Sequence, residues 1–352
     1  MGNFSIKNVQ LKGVSVCVPK IIVKNSENTF FDADEVAKFS KSTGVYEFRS
    51  AEKEVTTADL GFEAANRLLN EMGINRNEID ILVFVSQTPD FANIPNTAPI
   101  LQDRLKLSEQ CITFDIPLGC SGFVYGLSVV SSFLQNEGFR KGLLLFGDTL
   151  SKVVNVKDKS TSLLFGDAAG AVLLERDERG KKIIFNLGSD GSGHKAIIIP
   201  EGGFRNQFNA NSLIEKEIEK DIVRTNCDIV LDGMDVFSFG ISQAPKTVKE
   251  LYEFANISNE EVDFAVFHQA NLMMNEMIRK KMKLESEKVP CSLEKFGNTS
   301  SASIPITMVT ELKSQLEKGK NRLLLCGFGV GLSWGTCYLE TENLKVLDLI
   351  EL

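Results

Sequence analysis

Cys120 stands where a chain would present a reactive thiol. The stretch Asp115-Ile-Pro-Leu-Gly-Cys-Ser-Gly-Phe123 sets one cysteine close between two glycines. The preceding residues CITFDI read as a short buried strand, and the following run VYGLSVVSSFL repeats apolar positions at helical spacing. The pattern predicts a tight strand-to-helix turn. A thiol at a helix N-terminus feels the positive end of the macrodipole and unpaired backbone N–H groups, which favour thiolate and offer hydrogen bonds to an oxyanion. The same turn also suits a small buried residue chosen for close packing.

Partners for such a nucleophile are few. The chain has two histidines, His194 and His268, and His268 follows the strand-like run DFAVF. That is also a common place for a hydrogen-bonded structural histidine. Asn298 lies in Gly-Asn-Thr-Ser, where asparagine is equally at home as a turn or N-cap residue. The segment Gly327-Phe-Gly-Val-Gly-Leu-Ser-Trp-Gly335 has glycines that let backbone N–H groups approach a ligand. It lacks the helix and the later acidic residue of a dinucleotide fingerprint, and it also fits a tight turn between two strands.

What would bring these residues together is a duplication. NEIDILVFVSQ (77–87) is echoed by EEVDFAVFHQA (260–270), GLLLFGD from Gly142 by RLLLCGF from Arg322, and GCSG by GNTS, in one order at an offset of roughly 180 residues. Each copy carries helix, strand, loop, helix and strand, predicting an α/β chain of two related halves, residues 1–180 and 181–352. Cys120 and Asn298 then occupy equivalent helix starts. With His268 at a strand end, all three sit at switch points facing one shared site. From about Ser192 to Asp232 the chain shows no clear period and reads as a long excursion.

Composition narrows the class. With 43% hydrophobic and 24% charged residues the chain is an ordinary globular one. Its net charge of −8 argues against a nucleic-acid partner. Seven cysteines, odd in number and without CxxC spacing, favour reduced thiols over disulfides or a metal site. The absence of a long apolar run argues against a membrane span, and MGNFSIKNVQLKG lacks a signal-peptide core, so a cytoplasmic protein is expected.

DIPLGCSGF, FHQAN, GNTSSASIP and FGVGLSWG, in this order, resemble the β-ketoacyl-[acyl carrier protein] synthase III family of the thiolase-like superfamily. FGDAAGAVLL and LDGMDVFSFGI resemble its connecting segments. The resemblance implies a five-layered αβαβα fold, a homodimer and a catalytic triad of Cys120, His268 and Asn298. The implied chemistry is decarboxylative condensation: Cys120 takes an acyl group from a thioester, a malonyl thioester loses carbon dioxide, and His268 and Asn298 hold the enolate oxygen. Backbone N–H groups of Cys120, Val330 and Gly331 would form the oxyanion hole. Coenzyme A or phosphopantetheine thioesters serve as substrates, with no metal or redox cofactor. Asn298 separates this branch from thiolases with a second catalytic cysteine, and Cys326 is expected to be structural.

Two departures stand out. Where the family clamps the adenine of coenzyme A with Trp and Arg, this chain has Lys38 and Ser42. The excursion is also longer than usual and falls near the family's substrate tunnel, which suggests a specialised paralogue. The segment NLMMNEMIRKKMK brings Arg279, Lys280 and Lys281 together for docking an acidic acyl carrier protein, although Met273 replaces the family's principal arginine. The alternatives are transfer of the acyl group to an alcohol or amine, or a catalytically silent partner of an active ketosynthase.

Overall fold

The computed structural model describes residues 2–92 and 94–352. Alternation along the strands builds its layers. Ile81, Val83 and Val85 face one core while Leu82 and Phe84 face another, and Leu144 and Phe146 oppose Leu143 and Leu145 in the same way. In the second half Leu323 and Leu325 face the first core, and Leu324, Cys326 and Phe328 face a third. Strands buried on both faces need apolar residues at every position. That is why these segments read as continuous apolar runs.

The first sheet runs in the order Lys345–Val346, Val9–Val18, Ala168–Arg176, Lys141–Asp148, Ile79–Val85, Ile112–Ile116, with Ile350–Glu351 also pairing with Val9–Val18. The second runs Asn3–Ile6, Ile183–Ser189, Ser333–Glu342, Lys320–Gly329, Phe264–Phe267. In each, a parallel pair (Ile79–Val85 with Lys141–Asp148; Phe264–Phe267 with Lys320–Gly329) adjoins two antiparallel strands. This repeated order is the duplication.

Residues of the helices Gly122–Phe133 and Ser303–Glu311 fill the core between the sheets. Helix Thr57–Glu71 covers the outer face of the first sheet, and Gly233–Ala255 with Leu272–Lys281 covers the second. The result is the expected αβαβα stack. Across the expected division near residue 180 the termini change places: Asn3–Ile6 pairs in the second sheet, and Lys345–Val346 and Ile350–Glu351 pair in the first. These strands are too short to show a period. Among the described residues, no helix is long and apolar enough to cross a membrane.

The excursion is folded. It contributes two small antiparallel pairs, Ile197–Ile198 with Val230–Leu231 and Lys216–Glu219 with Ile222–Arg224. A buried ion pair between Arg224 and Asp158 fastens it to the first half.

Candidate active site

Two turns and one strand end assemble the site. Cys120 directly precedes Ser121, the N-cap of helix Gly122–Phe133. Asn298 directly precedes Thr299, the N-cap of the 3-10 turn Ser300–Ala302, which runs into helix Ser303–Glu311. The duplicated positions are therefore structurally equivalent. His268 follows strand Phe264–Phe267, and its N–H donates to the Cys326 carbonyl at 2.8 Å.

Asn298 is tied to the opposite half. Its N–H donates to the Leu164 carbonyl at 2.9 Å, and its carbonyl accepts from Gly166 at 3.0 Å. Gly297 makes this approach possible, with φ of +60° and only 2.6 Å between a would-be Cβ and the Leu164 oxygen. The Asn298 Oδ1 accepts from the Ser300 N–H at 3.0 Å, which orients the amide and leaves its NH₂ for the cavity.

Cys120, His268 and Asn298 line one cavity of about 640 Å³, counting its mouth. Its remaining wall is mostly apolar, with Gln87, Asn271 and Ser300 as further polar groups, and includes Leu150, Leu164, Phe165, Ile197, Ile229 and Leu231. The last three come from the excursion, and an adjoining cavity extends the apolar path past Ile198 and Ile199. A cavity with polar groups at one end and aliphatic walls suits an acyl chain joined to a reactive carbonyl.

Burial governs the ionisation of the site. Desolvation, followed by the nearby Asp148 carboxylate, pushes the Cys120 thiol up to about 11. The Ser300 hydroxyl and the N–H groups of Val330 and Cys120 pull the other way. Burial at the helix start thus works against the thiolate that its donors favour. Desolvation also holds His268 down to about 3. The resting site is a thiol beside a neutral imidazole.

His268 Nδ1 meets the Ser303 hydroxyl at 2.7 Å, and the ring stands edge-on to Phe328. With Ser303 donating, the neutral ring carries its proton on Nε2. Val330 reaches the thiol through its N–H, and Gly329 lines the cavity beside it. A Cβ at Gly329 would lie 2.7 Å from the Cys120 Cβ and 2.9 Å from its Sγ, so glycine is required there. Gly331 is not part of the cavity wall.

Cys326 is fully buried, pushed up to about 12 by desolvation, and accepts from the Thr336 hydroxyl; it lies outside the cavity wall. The basic segment is less free than its sequence suggests. Arg279 is bidentate to Glu276 at 2.9 and 2.8 Å and caps the Leu284 carbonyl, an i,i+3 pairing within its own helix. Lys281 donates to the Ile241 carbonyl, and Lys280 is exposed. Lys38 pairs with Glu35 at 3.5 Å, and Ser42 bonds to the Phe39 carbonyl. Glu35 also meets Lys159, which reaches Asp221 of the excursion at 3.2 Å.

Sequence reasoning missed Ser300, Ser303, Gln87 and Asp148. A signal existed for three of them: GLLLFGD ends a buried strand on the acid Asp148, and the hydroxyl-rich SSAS that holds Ser300 and Ser303 follows Asn298-Thr299.

Residues 114–191 match the family model for 3-oxoacyl-[acyl-carrier-protein] synthase III, and residues 252–341 match the model of its C-terminal part. A curated β-ketoacyl-[acyl-carrier-protein] synthase III from Caldanaerobacter subterraneus subsp. tengcongensis is 34% identical over 334 residues, covering 93% of this chain and 96% of the relative. Its counterpart numbered 1 in Halalkalibacterium halodurans is 35% identical over 85% of this chain and 87% of its own. The crystal structure of a 3-oxoacyl-(acyl-carrier protein) synthase from Burkholderia xenovorans LB400 superposes with a TM-score of 0.93 at 36% identity, covering 99% of each chain.

Proposed function

Because the chain belongs to the 3-oxoacyl-[acyl-carrier-protein] synthase III family, we propose that Cys120 carries the acyl group in its condensation and that His268 and Asn298 act on the malonyl thioester. The product is a β-ketoacyl thioester of fatty-acid or related acyl-chain biosynthesis. The observation that carries the residue roles is convergence: a thiol, an imidazole and an oriented amide, drawn from both halves, line one end of a single apolar cavity.

In the first half-reaction the Cys120 sulfur attacks the donor carbonyl, and N–H groups of Val330 and Cys120 face the developing oxyanion. The donor thiol leaves and the acyl chain lies along the aliphatic wall. In the second, the malonyl thioester loses carbon dioxide and the electrons of the broken C–C bond enter an enolate. The Asn298 amide and His268 Nε2–H donate to its oxygen. The enolate carbon then attacks the acyl carbonyl, collapse breaks the C–S bond and expels Cys120 as thiolate, and one proton from solvent restores the thiol.

An acyl carrier protein delivers the malonyl group, and an acyl-carrier or acyl-CoA thioester delivers the donor. The exposed Lys280 and Lys281 supply carrier attraction, without Arg279. Pairing of two copies is supported by strand Ile112–Ile116, which among the described residues is hydrogen-bonded on one side only and has Ile112 38% exposed. Seven free cysteines support a reducing cytoplasm.

Intact-mass spectrometry with acyl-CoA and acyl-carrier donors tests the residue roles. Cys120→Ala abolishes the adduct. His268→Ala and Asn298→Ala still load but lose about 10²–10³-fold in carbon dioxide release, the usual cost of removing an oxyanion donor. A stable adduct mapping to Cys326 or Cys291 would overturn the assignment.

A further inference from the structure

Helix Gly233–Ala255 carries a proline in its interior, Pro245. Proline has no N–H, so the Ile241 carbonyl one turn earlier loses its helical donor, and the helix is weakest at that point. A side chain from another helix supplies the donor instead. Lys281 Nζ, in the last turn of helix Leu272–Lys281, donates to the Ile241 carbonyl at 2.9 Å, and a charged donor is a strong one. Packing does not close the break: a groove of about 780 Å³, counting its mouth, opens there between Pro245, Val248, Tyr252, Lys281 and Met282.

The pinned carbonyl stands next to the wall of the catalytic cavity. Gly240, one residue before Ile241, is buried so close to its neighbours that a Cβ would lie 2.5 Å from Met274 Sδ and 3.0 Å from the Phe328 ring. Met274 and Lys281 are seven residues apart, on one stripe of helix Leu272–Lys281, and both meet the broken helix. Met274 and Phe328 line the cavity, as do Gly233 and Val236 from the first turn of the broken helix. Ser303 holds one nitrogen of the His268 imidazole, and Phe328 packs edge-on against its ring, with centroids 5.7 Å apart. Contact therefore runs without a gap from Lys281 through Ile241, Gly240 and Phe328 to His268.

We propose that Lys281 is a positioning residue for His268. Its ammonium holds helix Gly233–Ala255 together across the proline break, keeps Gly240 pressed on Met274 and Phe328, and so fixes the ring against which His268 aims its Nε2–H at the enolate oxygen. Without this pin the segment before Pro245 is free to tilt, and Phe328 gains room to turn. The role needs no carrier protein and is distinct from the attraction that Lys280 and Lys281 offer at the surface. Decarboxylation, which uses the imidazole, depends on the pin more than loading of Cys120 does.

The inference rests on His268 acting in decarboxylation, and its test separates the two ideas. Carbon dioxide release from malonyl-pantetheine and single-turnover loading from an acyl-pantetheine, read by intact mass, are measured without any carrier protein for wild type, Lys281→Met, Lys281→Arg, Pro245→Ala and the Lys281→Met/Pro245→Ala double variant. Lys281→Met keeps the apolar stem and loses the donor, Lys281→Arg keeps a donor, and Pro245→Ala returns a backbone N–H to the Ile241 carbonyl. A small misplacement of a reacting group is costly, so Lys281→Met is expected to slow carbon dioxide release about tenfold while loading stays within about threefold of wild type. Lys281→Arg is expected to stay near wild type in both, and the double variant to regain the release rate of Pro245→Ala. That rescue belongs to the pin: a lysine that only attracts a carrier would change neither reaction here, and one that only stabilises the fold would lower both together. Should Lys281→Met prove unfolded by circular dichroism, the double variant decides: folded and releasing carbon dioxide at the Pro245→Ala rate, it supports the pin, and otherwise it overturns it. Wild-type release from Lys281→Met, an equal fall in loading and release, or a double variant as slow as Lys281→Met also overturns the proposal. Undiminished release from His268→Ala overturns the role of the imidazole instead, and unchanged carrier affinity in Lys280→Glu, which leaves the bond to Ile241 in place, overturns the docking reading alone.

Discussion

Replacing Gly329 by alanine should slow acylation about a hundredfold without unfolding the protein. The added Cβ would lie 2.7 Å from the Cys120 Cβ and 2.9 Å from its Sγ, against a favourable carbon–carbon separation of about 3.5–4.0 Å. Roughly 1 Å must be found. Cys120 has little room to retreat, because its carbonyl already lies only 2.6 Å from where a Cβ on Gly327 would sit. The sulfur must therefore turn or the Val330 loop must lift, and either one separates the nucleophile from its donors. A displacement of that size in a reacting group costs about 10²-fold, or about 2.7 kcal/mol of barrier. Overpacking adds about 1–3 kcal/mol of lost stability. The assay is a time course of intact mass after mixing with an acyl donor, run beside Gly138→Ala, where a Cβ meets nothing within 4 Å. Folded Gly329→Ala protein that loads within threefold of wild type would refute the reasoning, since the thiol would then have slack that the static contacts deny.

Other outcomes follow from single interactions. Arg224→Met leaves Asp158, which is fully buried, without its cation; a loss of about 3–5 kcal/mol is expected, read as a lower melting temperature and faster proteolysis between residues 199 and 221. The Arg179 backbone N–H, then Lys12, hold the Asp177 carboxyl down to about 2. Its stabilisation is therefore present above the unfolded value of about 4 and lost as pH falls towards 2, and Asp177→Asn should lower the melting temperature at pH 6 more than at pH 2. With Lys38 paired to Glu35 and Lys159 held by Glu35 and Asp221, a carrier-bound donor should load Cys120 faster than the matching acyl-CoA. That preference should weaken with salt and on charge reversal of Lys280 and Lys281; equal or faster loading from acyl-CoA, insensitive to those reversals, would count against it.

The two halves were legible because strands buried on both faces leave apolar runs, and the repeated acid before Ile81 and before Phe264 set their register. Cys120, His268 and Asn298 followed from their places in that repeat. Ionisation was not legible. A helix start in sequence says nothing of whether water reaches it, and here dryness raises the Cys120 thiol. Ser300 escaped because no spacing marks it as part of the cavity wall or as the residue whose N–H orients Asn298. The pairing of Arg279 with Glu276, three residues before it, is one that sequence alone can suggest. The excursion lacked periodicity because its strands are two to four residues long, yet its aliphatic residues complete the cavity.

The exchange of terminal strands has a bearing on how the molecule is made. A duplicated unit that kept its own strands could finish folding while the second was still being synthesised. Here strand Val9–Val18 waits for Lys345–Val346 and Ile350–Glu351, while Asn3–Ile6 waits for Ile183–Ser189. The second sheet is complete only once Ser333–Glu342 has left the ribosome and the first only once Ile350–Glu351 has, so a nascent chain arrested midway would display an open sheet edge. A fragment cut at residue 180 would keep that exposed edge and tend to aggregate.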